Sequence, residues 1–170
     1  KLSEIIADQI RDSERTQNLM VSILSHIVEF RNGESGLHVL HISKITKLLL
    51  EEYSRRNPQL KLTKEDITLI SQAATLHDIG KIVIPDSILN KPGKLTNDEY
   101  EIIKQHSQSG YDILSSMDLF SNNICNGVLS HHENEDGTGY YGKKGEDVHI
   151  FSKIIHIADV FDVLVTERAY

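Results

Sequence analysis

The chain has no tryptophan, only three prolines, and a single cysteine, Cys125, among its 170 residues. One cysteine excludes an internal disulfide and any metal site built from cysteine pairs, which leaves Cys125 as small core filler. No apolar run approaches the roughly 18 residues needed to span a bilayer, and no signal-peptide pattern opens the chain. No membrane contact is expected, and the chain reads as soluble and cytoplasmic. An excess of positive charge is also missing. With a formal net charge of -7, duplex nucleic acid is not an expected partner, because it needs a basic face. A small anionic substrate stays open if metal ions supply the opposite charge. Charged residues at 25% and hydrophobic residues at 39% are ordinary globular proportions, which argues against disorder and provides one domain with a core. Lys1 in place of Met, and an ending at Tyr170 just after an apolar stretch, suggest a domain cut from a longer protein.

Strand-like alternation is absent too, so the expected class is all-α, a helical bundle. Residues 5–28 avoid Pro and Gly, and Ile6, Ile10, Ser13, Gln17, Met20, Leu24 and Ile27 keep the 4,3 spacing of a heptad seam. Such a helix over residues 1–30 suits signalling from an upstream sensor or receiver domain and pairing with a second copy into a homodimer; an ordinary amphipathic first helix gives the same spacing. Arg31-Asn32-Gly33-Glu34-Ser35-Gly36 breaks it, and residues 31–170 form the main domain. A helix follows over Leu37 to Tyr53. Thr63 with Asp66 and Thr96 with Glu99 read as capping boxes, opening helices that run to about Leu76 and Ser116. Further helices are expected over Ser121 to His132 and Phe151 to Val165. Between them, Glu133 to Asp147 is a polar loop with four glycines, long enough to suggest function.

The surplus in this chain is histidine, nine in all. At helical spacing His77 shares a stripe with Ile67, Ile70 and Ala74, His106 with Ile103, Gly110 and Ile113, and His131 with Ile124 and Val128. Asp159 and Asp162 share one with Ile155 and Thr166. Burying so many imidazoles and carboxylates without partners would cost several kcal/mol, and a shared cation removes that cost collectively. Imidazole and carboxylate without thiolate suit Fe, Mn, Ni, Co or Zn, and Asp78 has the oxygens to bridge two ions.

Leu76-His77-Asp78-Ile79-Gly80-Lys81 resembles the core of the HD superfamily. The run from Ile84-Pro85-Asp86 through Asn90-Lys91-Pro92-Gly93 to Thr96 is similar to the narrower HD-GYP subfamily of cyclic dinucleotide phosphodiesterases. So are Lys104-Gln105-His106, His131-His132-Glu133, Asp136-Gly137-Thr138-Gly139-Tyr140 and Ile157-Ala158-Asp159-Val160-Phe161-Asp162, in that order. The resemblance runs from about residue 30 to the end. It implies a helical fold around two or three divalent transition-metal ions, Fe or Mn first, with His38, His77, Asp78, His106, His131, His132 and Asp159 as ligands and Glu34 supplying a third ion. It further implies that Lys81 approaches the scissile phosphate and that Arg168 holds the dinucleotide. Four positions depart from the pattern: Tyr141 replaces the proline of Gly-Tyr-Pro, His41 stands for Arg, Val83 for Gly, and Lys153 for Arg. Lysine at 153 keeps the charge of a substrate contact but loses the bidentate fork.

The chemistry implied is in-line attack by a metal-bridging hydroxide on cyclic di-GMP or a related cyclic dinucleotide, with Asp78 holding the metals and Lys81 offsetting charge on the phosphoryl oxygens. Lys81 as a solvated helix-end lysine is the plainer alternative. Asp162 is either an acceptor that orients a ligand imidazole or a capping or surface group. Tyr140 and Tyr141 either stack on guanine bases or line the loop without a role. Two further functions remain open at this point: another HD-type nucleotide phosphohydrolase, and a catalytically weak sensing or scaffold module.

Overall fold

The structure, a computed structural model, describes residues 1–31, 33, 36–117 and 120–166, except the side chain of Glu14. Among them seven helices follow one another: α1 Leu2–Arg31, α2 Gly36–Arg56, α3 Lys64–Thr75, α4 Asp86–Leu89, α5 Asn97–Ser115, α6 Asn122–Leu129 and α7 Ile150–Val165. Short 3-10 turns cover Pro58–Leu60, Ile79–Val83 and Gly145–Asp147, and the described residues contain no strand. The class is all-α, as expected.

Local chemistry sets the helix starts. Thr63 Oγ1 accepts from Asp66 N at 3.1 Å while Asp66 Oδ2 accepts from Thr63 N at 2.8 Å. Thr96 and Glu99 repeat the exchange at 3.3 and 2.7 Å. Each cap satisfies amides that the helix leaves orphaned, contributing about 1 kcal/mol. α3 stops at Thr75 with Leu76 as its cap, close to the end expected, whereas α6 ends at Leu129 and not at His132, so His77, Asp78, His131 and His132 lie in the turns that follow. In these turns His77 Nδ1 donates to Ala74 O at 2.8 Å and His131 Nδ1 to Val128 O.

α3 is the hub of the core. Its Ile67, Ile70 and Ala73 join Leu50 of α2, Leu114 of α5, Ile124, Cys125 and Val128 of α6 and Ile154 of α7. Burying each large aliphatic side chain contributes about 2 kcal/mol. A smaller cluster of Ile42, Ala74, Ile155 and Ala158 joins α2, α3 and α7. The Ile79–Val83 turn lies on α5 at a distance only glycine permits, since a Cβ on Gly80 would meet His106 O at 1.9 Å and Gly110 N at 2.5 Å. α1 turns Val28 and Glu29 inward near its end, but its seam residues Ile6, Ile10, Met20, Leu24 and Ile27 stay exposed. No helix among the described residues is long and apolar enough to cross a membrane.

Candidate metal centre

One device recurs at three histidines. Each donates from Nδ1 to the carbonyl three residues earlier: His77 to Ala74, His106 to Ile103 at 2.7 Å, and His131 to Val128. A carbonyl only accepts, so Nδ1 carries the proton and Nε2 of the neutral ring is left with an outward lone pair. These lone pairs converge. His106 Nε2 lies 3.3 Å from His131 Nε2, and Asp78 Oδ1 lies 3.2 and 3.9 Å from the same two atoms. Asp78 Oδ2 faces His77 Nε2 at 3.2 Å.

The structure brings seven of the expected residues together as two groups. Asp78, His106, His131 and His132 offer atoms within 4.8 Å of one another, and so do His38, His77 and Asp159. Neighbouring residues 77 and 78 belong to different groups. Asp159 comes from α7, 3.5 Å from His38 Nε2. His77 Nε2 and Asp78 Oδ1 are buried and have no hydrogen-bond partner among the described residues. Buried lone pairs converging without donors fit a cation. The expected residues Glu34 and Arg168 lie outside the described residues.

Electrostatics agree with that fit. Burial drives the His131 imidazole well below its ordinary range, and burial with the nearby His106 lowers His132 to about 3. Burial alone would raise Asp78, but His77 and Lys81 outweigh it and hold the carboxyl well below the usual range. Burial pulls His77 down as well, yet the Asp78 carboxylate dominates and lifts the imidazole to about 10. A proton drawn onto His77 is the response of a site short of positive charge. A divalent cation among the same atoms meets that need with neutral rings.

The surroundings orient the ligand set. Asp162, buried, accepts from His38 Nδ1 at 2.7 Å and from His41 Nδ1 at 2.6 Å, so it directs His38 Nε2 toward Asp159. Of its two sequence readings, the orienting one matches. His156 Nδ1 donates to His131 O at 2.8 Å, a support that the sequence did not signal. Lys81 Nζ stands 2.7 Å from Asp78 Oδ2. Glu133 folds the glycine-rich loop back by accepting from Tyr141 N at 2.7 Å and Lys143 N at 2.8 Å. Gly139 allows the return, because a Cβ there would lie 2.5 Å from Glu133 Cα and His132 O. The result sets the half-buried Tyr140 ring 4.4 Å from the His132 ring, centroid to centroid. Tyr141 stays exposed, and Lys153 pairs with Glu135 of the loop at 2.6 Å.

A family model described as HD domain matches residues 14–170. The chain is 37% identical, over 99% of its length, to the cyclic di-GMP phosphodiesterase response regulator RpfG of Xanthomonas campestris pv. campestris, covering 43% of that protein. It is 36% identical, over 94% of its length, to the 3'3'-cGAMP-specific phosphodiesterase 2 of Vibrio cholerae, covering 30% of it. The chain thus spans less than half the length of these curated relatives. A crystal structure of a cyclic GMP-AMP specific phosphodiesterase from V. cholerae superposes with a TM-score of 0.64 over 86% of this chain and 40% of the other, at 22% identity, a match of fold.

Proposed function

We propose, since this chain belongs to the HD domain family, that it is a metal-dependent phosphodiesterase opening cyclic di-GMP or a related cyclic dinucleotide to a linear form. The convergence of His38, His77, Asp78, His106, His131, His132 and Asp159 carries the reading, because a site of that donor set is suited to clamping a phosphodiester. The names of the relatives, for cyclic di-GMP and for 3'3'-cGAMP, support the substrate class. His38, His77 and Asp159 would hold one ion and Asp78, His106, His131 and His132 another, with Asp78 between them. Fe and Mn are the foremost candidates, and Glu34 is the proposed source of a third site. Divalent ions so placed supply a Lewis-acid clamp on phosphoryl oxygens and an activated water.

The protein's own residues do the rest. In the reaction one ring P–O bond breaks as water adds to phosphorus, leaving a phosphomonoester on one nucleoside and a hydroxyl on the other. Asp162 and the carbonyls of residues 74, 103 and 128 keep the imidazoles in one orientation. Lys81, which faces Asp78, is the proposed cation set against charge growing on the phosphoryl oxygens. Tyr140 offers a ring beside His132 as a wall for a base, and Lys153 and Arg168 are the proposed phosphate contacts. The exposed seam of α1 supports pairing of two copies, and the response-regulator name of one relative supports an upstream receiver. A nucleotide-signal substrate would suit a cytoplasmic protein.

Purified protein loaded with Fe or Mn and offered cyclic di-GMP, 3'3'-cGAMP and cyclic mononucleotides, with products separated by chromatography, tests the proposal. Linear dinucleotide should accumulate, and His77→Ala and Asp78→Ala should abolish it. Metal-replete protein inert toward every cyclic dinucleotide would overturn the reading.

A further inference from the structure

We propose that Arg31, the last residue of α1, is a positioning residue that fixes where Lys81 stands beside Asp78. Its guanidinium crosses to the Ile79–Val83 turn and the residues after it. Nη1 donates to Lys81 O at 2.9 Å and to Ile82 O at 3.0 Å, Nη2 to Ile84 O at 2.5 Å, and Nε to Asp86 Oδ1 at 2.8 Å. Asn90 Nδ2 closes the circuit by donating to Arg31 O at 3.1 Å.

The last carbonyls of a short helical turn have no donor within the turn and carry the negative end of its dipole. A planar fork of five N–H groups matches several such acceptors at once; a compact ammonium does not. The turn needs an anchor on this side. Its other flank is fixed by the approach of Gly80 to α5, and Ile84 beyond it is buried, but Ile82 and Val83 between these points are 55% and 56% exposed, so no apolar burial holds the far half of the turn, where Arg31 takes the Ile82 carbonyl. The Lys81 backbone sits between the two anchors, and its side chain reaches Asp78 Oδ2 at 2.7 Å. Freeing the far half lets the Lys81 ammonium drift from where charge develops, and a displacement near 1 Å is enough to cost one to two orders of magnitude in rate.

The kinetic arm of the test rests on the hydrolase reading; the exchange arm does not. Arg31→Gln is compared with the parent protein for bound metal, for amide hydrogen exchange over residues 79–86, and for kcat and KM on cyclic di-GMP. Metal content should be unchanged, amides of 79–86 should exchange faster while those of α3 and α5 do not, and kcat should fall about 10-fold with KM within about twofold. In a Lys81→Ala background the same substitution should cost nothing further, which a general structural weakening would not produce. Arg31→Lys should fall between the two, and it carries the same measurements if Arg31→Gln does not fold. Unchanged exchange in 79–86, or an equal kcat loss with and without Lys81, overturns the proposal. A parent protein that turns over no cyclic dinucleotide refutes the hydrolase reading instead, and the exchange result then decides Arg31 alone.

Discussion

Lys81 Nζ lies 2.7 Å from Asp78 Oδ2, across a single 3-10 turn of the same segment. The pair joins a proposed cationic group of the reaction to the carboxylate of one ligand group. Lys81→Ala should therefore lower kcat on a cyclic dinucleotide about 100-fold, the usual loss for a preorganised donor, while bound metal stays unchanged. Mass spectrometric metal analysis beside steady-state kinetics separates the two effects, and a variant retaining full kcat would remove Lys81 from the chemistry.

Asp162 accepts from two imidazoles, His38 and His41. An asparagine offers only one acceptor oxygen, so one N–H is left facing an amide N–H. Asp162→Asn should weaken metal affinity about 10- to 100-fold, measured by competition with a chelating indicator. Unaltered affinity would show that His38 keeps its orientation without this carboxylate.

Gly80→Ala should destabilise the fold by about 3 kcal/mol, because the added methyl meets backbone atoms of α5 that cannot swing aside. The midpoint of urea unfolding, taken with metal absent, reads this directly. A shift of a few tenths would mean that the turn can lift from α5.

Removing metal should cost stability. His77 Nε2 and Asp78 Oδ1 are buried without hydrogen-bond partners among the described residues, so cation binding favours the folded chain. At free metal 100 times the dissociation constant the gain is about 2.7 kcal/mol. Calorimetry with and without a chelator should show the midpoint fall, and Asp78→Ala should abolish most of the difference.

The capping carboxylates set an acid limit. The Lys91 ammonium, and next the Thr96 amide, hold Glu99 below its ordinary 4.5, and the Thr63 amide and hydroxyl hold Asp66 below 3.8. A lowered folded pKa contributes fully above the unfolded value and is lost as pH falls through the folded one. Thermal stability should thus decline as pH drops below about 4.5, and Glu99→Gln should flatten that decline. Superimposable acid limbs for parent and variant would exclude Glu99 as a contributor.

Periodicity and short-range chemistry made much of this molecule legible from residues alone. The stripes through His77, His106 and His131 pointed inward because a helix repeats every 3.6 residues, and both capping boxes are four-residue devices. Arg31 was not legible. Read as the start of a helix-breaking segment, it ends α1 and grips backbone carbonyls about 50 residues away, acceptors that every residue type possesses. The supports from His41 and His156 escaped notice for the same reason, since their partners are tertiary. The early end of α6 at Leu129 was not legible because the apolar spacing through Ile124, Val128 and His131 is the same whether its last turn stays helical or not.

His77 and Asp78 face different ligand groups although a single peptide link separates them. Consecutive α-carbons are held about 3.8 Å apart by covalent bonds, the same scale as the separation of paired catalytic ions. Breathing of the helices can therefore loosen the outer donors on α2, α5 and α7, yet the backbone points that carry His77 and Asp78 stay one peptide link apart, so the bundle cannot draw these two ligands to separate regions.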